Sequence, residues 1–326
     1  GSGDMRYPFF KCIKCGAGKT EIVYEVILEA LNEGKVICVA TPRKDVVMEL
    51  SPRFNRDFHG INLVSLYGGS KDKGKNGNLY ISTTHQLINY YRYFDLIILD
   101  EGDAFPYYNN SMLKGFVQKA KKDTAPIIYL TATPPAYLKY AIKRKLIDYY
   151  VIPERFHRFP LPVPRVVLCS GILKEIERGI CPKKIIKWLS EKQKNEKQVF
   201  IFVPGISCGE RLATILQEMF DCRFVHADMP ERKSIIKQFR EKRLRFIITT
   251  TILERGVTVS NVDICIIGGD NEIFDERAII QMAGRGGRDK RFPKSDVAVF
   301  ADYYTKGIKN AVKTLKKMNM LSRQGR

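Results

Sequence analysis

Nowhere in the 326 residues is there a run approaching the roughly 18 consecutive apolar residues that a membrane-spanning helix needs, and no signal peptide opens the chain. A transmembrane or secreted protein is therefore not expected, and the reading is cytoplasmic. Acidic residues are in short supply: 35 Asp and Glu stand against 55 Lys and Arg, a net charge of +20. So lopsided a balance argues for a polyanionic partner, nucleic acid ahead of an anionic membrane face. A second CxxC is also missing. Of the eight cysteines only Cys12 and Cys15 have metal or redox spacing. Two thiolates cannot close a tetrahedral site, so zinc is not expected in this chain. Cys38 and Cys265 lie in apolar runs and read as small core residues. Short-period repeats and low-complexity segments are absent, which excludes solenoids.

What is present begins at Gly16-Ala17-Gly18-Lys19-Thr20. Two glycines without Cβ atoms let successive N–H groups turn onto a phosphate chain. Lys19 can reach the β- and γ-phosphates, and the Thr20 hydroxyl can take one position on Mg²⁺. Ile22, Val23, Val26, Ile27, Ala30 and Leu31 follow at helical spacing, so the loop opens a helix whose N-terminal dipole adds to the anion site. The complete phosphate-loop pattern asks for glycine at position 13, where this chain has Ile13.

Beyond the loop, apolar strand-like runs alternate with helical patterns, which predicts α/β architecture with mainly parallel sheets and crossover helices. Strands are predicted over 35–41, 63–67, 79–84, 95–99 and 127–130, and then over 198–203, 223–226, 245–250, 262–267 and 296–300. Residues 85–91 are predicted as a helix, and another is predicted over 211–220. Between the two series, Pro153, Pro160, Pro162 and Pro164 fall within twelve residues. The expected division is a first domain over 1–156, a proline-rich linker over 157–164 and a second domain over 165–326.

Asp100-Glu101 follow four apolar residues, at the C-terminal end of a predicted buried strand, where open α/β sheets bind ligands. Asp100 suits Mg²⁺ held through water, and Glu101 suits orienting and deprotonating an attacking water. In Gln281-Met282-Ala283-Gly284-Arg285-Gly286-Gly287-Arg288, two arginines three apart are separated by glycines at a helix end. Their planar, permanently charged forks suit the charge that spreads over a γ-phosphoryl group in the transition state.

In this order GAGKT, DEGD, TAT and QMAGRGGR resemble the motor motifs of superfamily 2 helicases and translocases. ATPRKDVVMELSPR, LYGGS, ISTTHQL, DEGDAFP, IYLTATPP, Glu154-Arg155-Phe156-His157-Arg158 with PLPVPR, and TTTILERGVTV are similar to the ComFA family, the competence ATPases of transforming-DNA uptake. The similarity runs from about residue 16 to residue 302.

The resemblance implies two tandem RecA-like lobes with ATP and Mg²⁺ in the cleft between them. Lys19, Thr20, Asp100 and Glu101 would face Arg285, Arg288 and Gln281, with Gly256 and Thr258 beside the nucleotide. It implies that Thr131 and Thr133 couple hydrolysis to lobe closure near Asp103. Single-stranded DNA would meet Pro42, Arg43, Gly69, Thr83 and Thr84 on the first lobe and Gly205, Thr249 and Thr250 on the second. The implied function is DNA-stimulated ATP hydrolysis driving translocation of transforming DNA. Such a protein would work at the inner face of the cell membrane with the competence uptake channel and other competence proteins, a homo-oligomer being one further expectation.

Three features depart from the family pattern. A four-cysteine zinc element and an adenine-fixing segment usually precede the first lobe, whereas fifteen residues precede Gly16 here, so both are expected to be absent or reduced. Ile13-Lys14-Cys15 stand where relatives carry small residues and threonine. Gly102 replaces a bulkier apolar residue, with looser packing expected behind Glu101. Two other functions stay open on sequence alone: a non-hydrolysing nucleic-acid-binding module, and a repair or restriction translocase of the same superfamily.

Overall fold

The computed structural model describes the backbone of residues 10–15, 19–102, 107, 110–131, 134–152, 159–226, 229–250, 261–287 and 294–324, with side chains from residue 23 onward in those ranges except at 152, 323 and 324. The chain divides into two compact units, Gly1–Phe156 and His157–Arg326.

In the first unit the elements run β1 (Phe10–Cys15), α1 (Lys19–Asn32), β2 (Ile37–Thr41), α2 (Lys44–Asp57), β3 (Leu63–Leu66), β4 (Leu79–Thr83), a 3₁₀ turn (Thr84–Asn89), β5 (Leu96–Asp100), α3 (Ser111–Ala120), β6 (Ile127–Thr131), α4 (Ala136–Lys143) and β7 (Asp148–Ile152). The seven strands form one parallel sheet in the order β3-β4-β2-β5-β6-β1-β7. Strands such as Ile37-Cys38-Val39-Ala40-Thr41 are buried along their whole length, because helices cover both faces of the sheet. Strand periodicity sorts the side chains: Ile37 and Val39 join Val23, Ile27, Val47 and Phe54 of α1 and α2, while Cys38 and Ala40 join Leu113, Val117 and Leu138 of α3 and α4.

The second unit runs β8 (Arg165–Leu168), α5 (Ile172–Glu177), α6 (Lys183–Lys194), β9 (Gln198–Val203), α7 (Ile206–Leu216), β10 (Cys222–Val225), α8 (Arg232–Arg240), β11 (Phe246–Thr250), β12 (Val262–Ile267), α9 (Glu276–Ala283), β13 (Val297–Ala301) and α10 (Lys306–Gln324). Its six strands are also parallel, in the order β10-β11-β9-β12-β13-β8. Val199, Ile201 and Val203 of the central β9 pack under Ile185, Trp188, Leu189, Leu212 and Leu216. The α/β expectation with parallel sheets therefore holds in both units.

Several local differences have physical reasons. Ile13 is not part of a loop: it pairs with Leu130 on one side and Tyr150 on the other, inside a strand that continues to Cys15. A β-branched residue suits that place better than glycine. The predicted helix over 85–91 is a 3₁₀ turn over Thr84–Asn89. Helix α7 starts at Ile206, five residues before the predicted start, with only Pro204 and an extended Gly205 between it and the end of β9. Among the described residues no helix is long and apolar enough to cross a membrane.

Candidate functional site

In a parallel sheet all strands finish at one edge, so strand order decides which terminal residues become neighbours. In the first unit β1 ends at Cys15, β6 at Thr131 and β5 at Asp100, side by side. Lys14 is registered with Thr131, and Leu130 with Asp100. Two strand spacings, about 10 Å, separate the strand that feeds the glycine loop from the one that ends in Asp100. Helix α1 begins at Lys19 immediately beyond the loop, so Lys19 and Thr20 occupy its first turn.

The chain then turns sharply. Glu101 has φ 58°, a left-handed conformation that is uncommon for a residue with a side chain. Its N–H donates to the Leu130 carbonyl at 3.2 Å, which ties the turn to β6. Such local strain, of order 1 kcal/mol or more, persists where the surroundings enforce it. Gly102 is part of that enforcement. It is buried, and a Cβ there would stand 2.5 Å from Leu99 Cδ2 and 3.4 Å from Tyr129 Cδ1. The looser packing expected at this position is not found; Leu99, itself closed to solvent, fills the space. Gly102→Ala is accordingly expected to destabilise the first unit by about 1–3 kcal/mol through overpacking. Urea unfolding of the variant checks this, and an unchanged midpoint would show that Leu99 yields freely.

The nucleic-acid candidates occupy the other half of the same edge. Pro42 and Arg43 follow β2, Thr83 ends β4 and Thr84 opens the 3₁₀ turn, and Gly69, with φ 85°, follows β3. Helix α2 opens at Lys44 with no side-chain cap from Arg43, leaving its first amides to other acceptors. The threonine side chains are nearly closed to solvent, at 6% for Thr83 and 0% for Thr84. Of these candidates, therefore, Gly69, the half-buried Arg43 and backbone are what solvent reaches. Thr41, at the end of β2, was not singled out by sequence. Its hydroxyl and that of Thr84 are buried without a hydrogen-bond partner among the described residues. A threonine at the end of an apolar strand just before Pro-Arg is the signal that could have found it.

In the second unit Gly205 follows β9 and caps α7 with backbone alone. Thr249 and Thr250 end the adjacent β11, registered with Phe202 and Val203. These three share one edge. Arg285 does not lie with them: its turn is at the opposite edge, where β12 and β13 begin. Gly286 is packed against Ser295 with no room for a Cβ, and Ser295 Oγ donates to the Val262 carbonyl at 2.8 Å. Helix α9, which carries the half-buried Gln281, is capped by Asp275, whose carboxylate accepts from the Ala278 N–H at 2.7 Å. Gly16, Ala17, Gly18, Asp103, Thr133, Gly256, Thr258 and Arg288 lie outside the described residues, as do the side chains of Lys19, Thr20, Cys12 and Cys15.

Among the described residues no group of three or more His, Cys, Asp and Glu is set to hold a metal ion. A nucleotide-bound Mg²⁺ needs no such cage, since it takes one or two carboxylates together with phosphates. One carboxylate two strands from a glycine loop with a threonine fits that requirement. The core thiols offer no alternative chemistry: burial pushes Cys208 up to about 11 and Cys181 and Cys222 up to about 12.

Two family models match the chain, DEAD/DEAH box helicase over residues 7–140 and helicase conserved C-terminal domain over residues 181–290. Competence protein ComFA of Bacillus subtilis is 44% identical over 310 residues, covering 94% of this chain and 67% of that protein. Competence protein ComFA of Streptococcus pneumoniae is 36% identical over 319 residues, covering 97% and 73%. Among solved structures, S. cerevisiae Dbp5 bound to RNA and ADP-BeF3 superimposes with a TM-score of 0.66 at 17% identity, over 96% of this chain and 84% of that one. The DEAD-box helicase Mss116 bound to ssRNA and UDP-BeF gives 0.65 at 16% identity, over 91% and 67%. At such identities the likeness is one of fold.

Proposed function

The chain belongs to the ComFA family of competence proteins and is a helicase-like, nucleotide-hydrolysing enzyme, and we propose that it is an ATP-dependent single-stranded-DNA translocase that drives uptake of transforming DNA. The observation that carries the reading is the division of the first sheet's edge. The phosphate loop and carboxylates belong to β1, β6 and β5; Arg43, Thr83, Thr84 and Gly69 belong to β2, β4 and β3; and β5 and β2 are neighbours. One strand spacing, about 5 Å, separates the half suited to a nucleotide from the half suited to a polynucleotide.

ATP with Mg²⁺, when bound, supplies the phosphoryl bond whose hydrolysis drives the cycle. The loop amides of residues 16–18 and Lys19 would hold its phosphates, and Thr20 and Asp100 would hold the cation. Glu101 orients the attacking water and takes its proton. Arg285 and Arg288 would stabilise charge on the transferring group, and Gln281, Gly256 and Thr258 would contact the nucleotide. Thr131, at the end of β6, would carry the coupling together with Thr133 and Asp103.

For DNA, the starts of α2 and α7, where no side chain caps the helix, present backbone amides suited to phosphates in both units. Pro42 and Arg43, Gly69, Thr83 and Thr84, Gly205, and Thr249 and Thr250 frame those turns. Binding of this kind depends on salt and tolerates any sequence. The competence uptake channel at the inner face of the membrane is the partner this activity would serve.

The test is ATP hydrolysis with and without single-stranded DNA, beside Lys19→Ala. Stimulation by DNA that disappears in the variant is the expected result. Hydrolysis in neither protein, with DNA still bound, would overturn the motor reading in favour of a binding module.

A further inference from the structure

Helix α10 spans 19 residues, and its apolar side, Ile308, Ala311, Leu315 and Met318, is buried in the second unit. Its other side is a row of lysines. Lys306, Lys309, Lys313, Lys316 and Lys317 are all exposed, and steps of three and four residues place them on one face. From the first to the last the row is about 16 Å long at a rise of about 1.5 Å per residue. No Asp or Glu follows Asp302 in the sequence. Among the described residues no ion pair of this unit reaches any of the five. Like charges three and four residues apart repel on a helix, so the free protein carries an unfavourable row that a polyanion would relieve.

We propose that α10 is a second track for single-stranded nucleic acid on this unit, separate from the turns after β9 and β11. At about 3.4 Å or more between phosphates, its length matches roughly three to five of them. Tyr303 and Tyr304, 61% and 47% exposed, stand just before the helix and offer faces on which bases stack. An anionic membrane is the weaker match. A helix lying in a bilayer surface inserts its apolar side, and that side of α10 is already occupied by the protein's own core. The track also touches the arginine helix. Thr314 Oγ1 donates to Glu276 Oε1 of α9 at 2.8 Å, and a Cβ at Gly307 would stand 3.2 Å from the Phe274 carbonyl. A strand held on α10 therefore bears on the element that leads to Arg285.

This inference rests on the proposed DNA partner, and the experiment separates the two. In the full chain, Lys309→Gln, Lys313→Gln and Lys316→Gln are combined, and affinity for a long and a short oligo(dT) is measured across a salt series. Each phosphate contact contributes about 0.7 to the logarithmic salt slope for single strands. The combined variant should lose about 2 from the slope on the long oligomer and nothing on the short one, which the turns after β9 and β11 accommodate alone. Its melting temperature should equal or exceed that of the wild type, because the like-charge row is gone. An unchanged slope on both oligomers, with normal wild-type binding, would overturn the second track. An equal loss on both would also overturn it, by making the lysines part of the site formed by the turns after β9 and β11. Loss of sedimentation with phosphatidylserine vesicles at an unchanged DNA slope would assign α10 to a membrane surface instead. Failure of the wild type to bind either oligomer would sink the DNA reading itself.

Discussion

An Arg285→Ala protein is expected to hydrolyse ATP about 10³-fold or more slowly than the wild type while binding ATP within a few-fold of normal. A factor of 10³ corresponds to about 4 kcal/mol of transition-state stabilisation. An interaction that strengthens only as charge spreads over the transferring group raises kcat without tightening the ground state. The backbone that presents this arginine is held firmly. The Gly284, Arg285 and Gly286 N–H groups donate to the Ile280, Met282 and Ala283 carbonyls at 2.9, 3.0 and 3.1 Å. Gly287 then leaves the turn at φ 63°, a conformation glycine adopts without penalty. Arg285→Lys keeps the charge but loses the planar fork, so partial activity is the expected intermediate result. Single-turnover hydrolysis at saturating ATP, with nucleotide affinity measured separately, decides the matter. Lost affinity with normal saturated turnover would make Arg285 a ground-state ligand. Arg288 carries the same expectation from sequence.

How much of this was legible before the structure depends on how far the chain must travel to make a feature. Strands β9 and β12 coincide with the predicted 198–203 and 262–267, because QVFIFV and VDICII are apolar runs bounded by turn residues. Strands β1 and β7 lie outside the predicted runs. FKCIKC and DYYVI mix charged or polar residues with apolar ones, and only their pairing with each other and with β6 makes them strands. The sequence over 85–91 reads as a helix where the structure has a 3₁₀ turn over Thr84–Asn89, because periodicity over so short a stretch cannot separate a 3.0 from a 3.6 repeat. In the site, glycine loop, carboxylates and arginines were local motifs and could be read directly. Not legible was their disposition: that Asp100 and the loop flank β6, or that Arg285 lies at the opposite edge from Thr249 and Thr250. Strand order sets both, and sequence spacing carries no record of it. Gly102 illustrates the same limit, since only Leu99 and Tyr129 in place around it show that the position is tight.

Beneath the arginine turn lies a cluster that no motif announced, and Lys192→Met is expected to destabilise the second unit by about 3–5 kcal/mol. Lys192 is 7% exposed, and its ammonium stands 3.0 Å from Asp263 Oδ2 and 2.8 Å from Asp296 Oδ2. Trp188 Nε1 donates to the same Asp296 oxygen at 3.0 Å, and the Asp296 N–H donates to Asp263 Oδ1 at 3.0 Å. Removing the one buried cation leaves the buried Asp263 carboxylate beside Asp296 with only the exposed Arg165, 3.5 Å from Asp296 Oδ2, as a counter-charge. Burial opposes the charged form of Lys192, but the hydrogen bond to Asp296 and the charge of Asp263 outweigh it, and its pKa is raised. Burial likewise works against the Asp296 carboxylate, which Lys192 and Trp188 nevertheless hold below its ordinary value. The signs fix the pH window. The Asp296 contribution is complete above its unfolded value of about 3.9 and is lost as pH falls through the folded one; that of Lys192 is complete below about 10.4 and is lost as pH rises through the folded one. The wild-type advantage over Lys192→Met should therefore be flat near neutrality and shrink in acid. Combining Lys192→Met with Asp263→Asn and Asp296→Asn removes the ammonium and both carboxylates, leaves the exposed Arg165 that stands 3.5 Å from Asp296 Oδ2 free to turn to solvent, and keeps carbonyl acceptors for Trp188 and the residue-296 amide. Much of the lost stability should return, because a whole buried ionic group is often replaceable where half of one is not. Thermal unfolding of the two variants across pH checks both parts. A single variant as stable as the wild type would mean that water reaches the carboxylates. A triple variant no better than the single would mean that the lysine acts through its packing over the Trp188 ring, 4.7 Å away, rather than through its charge.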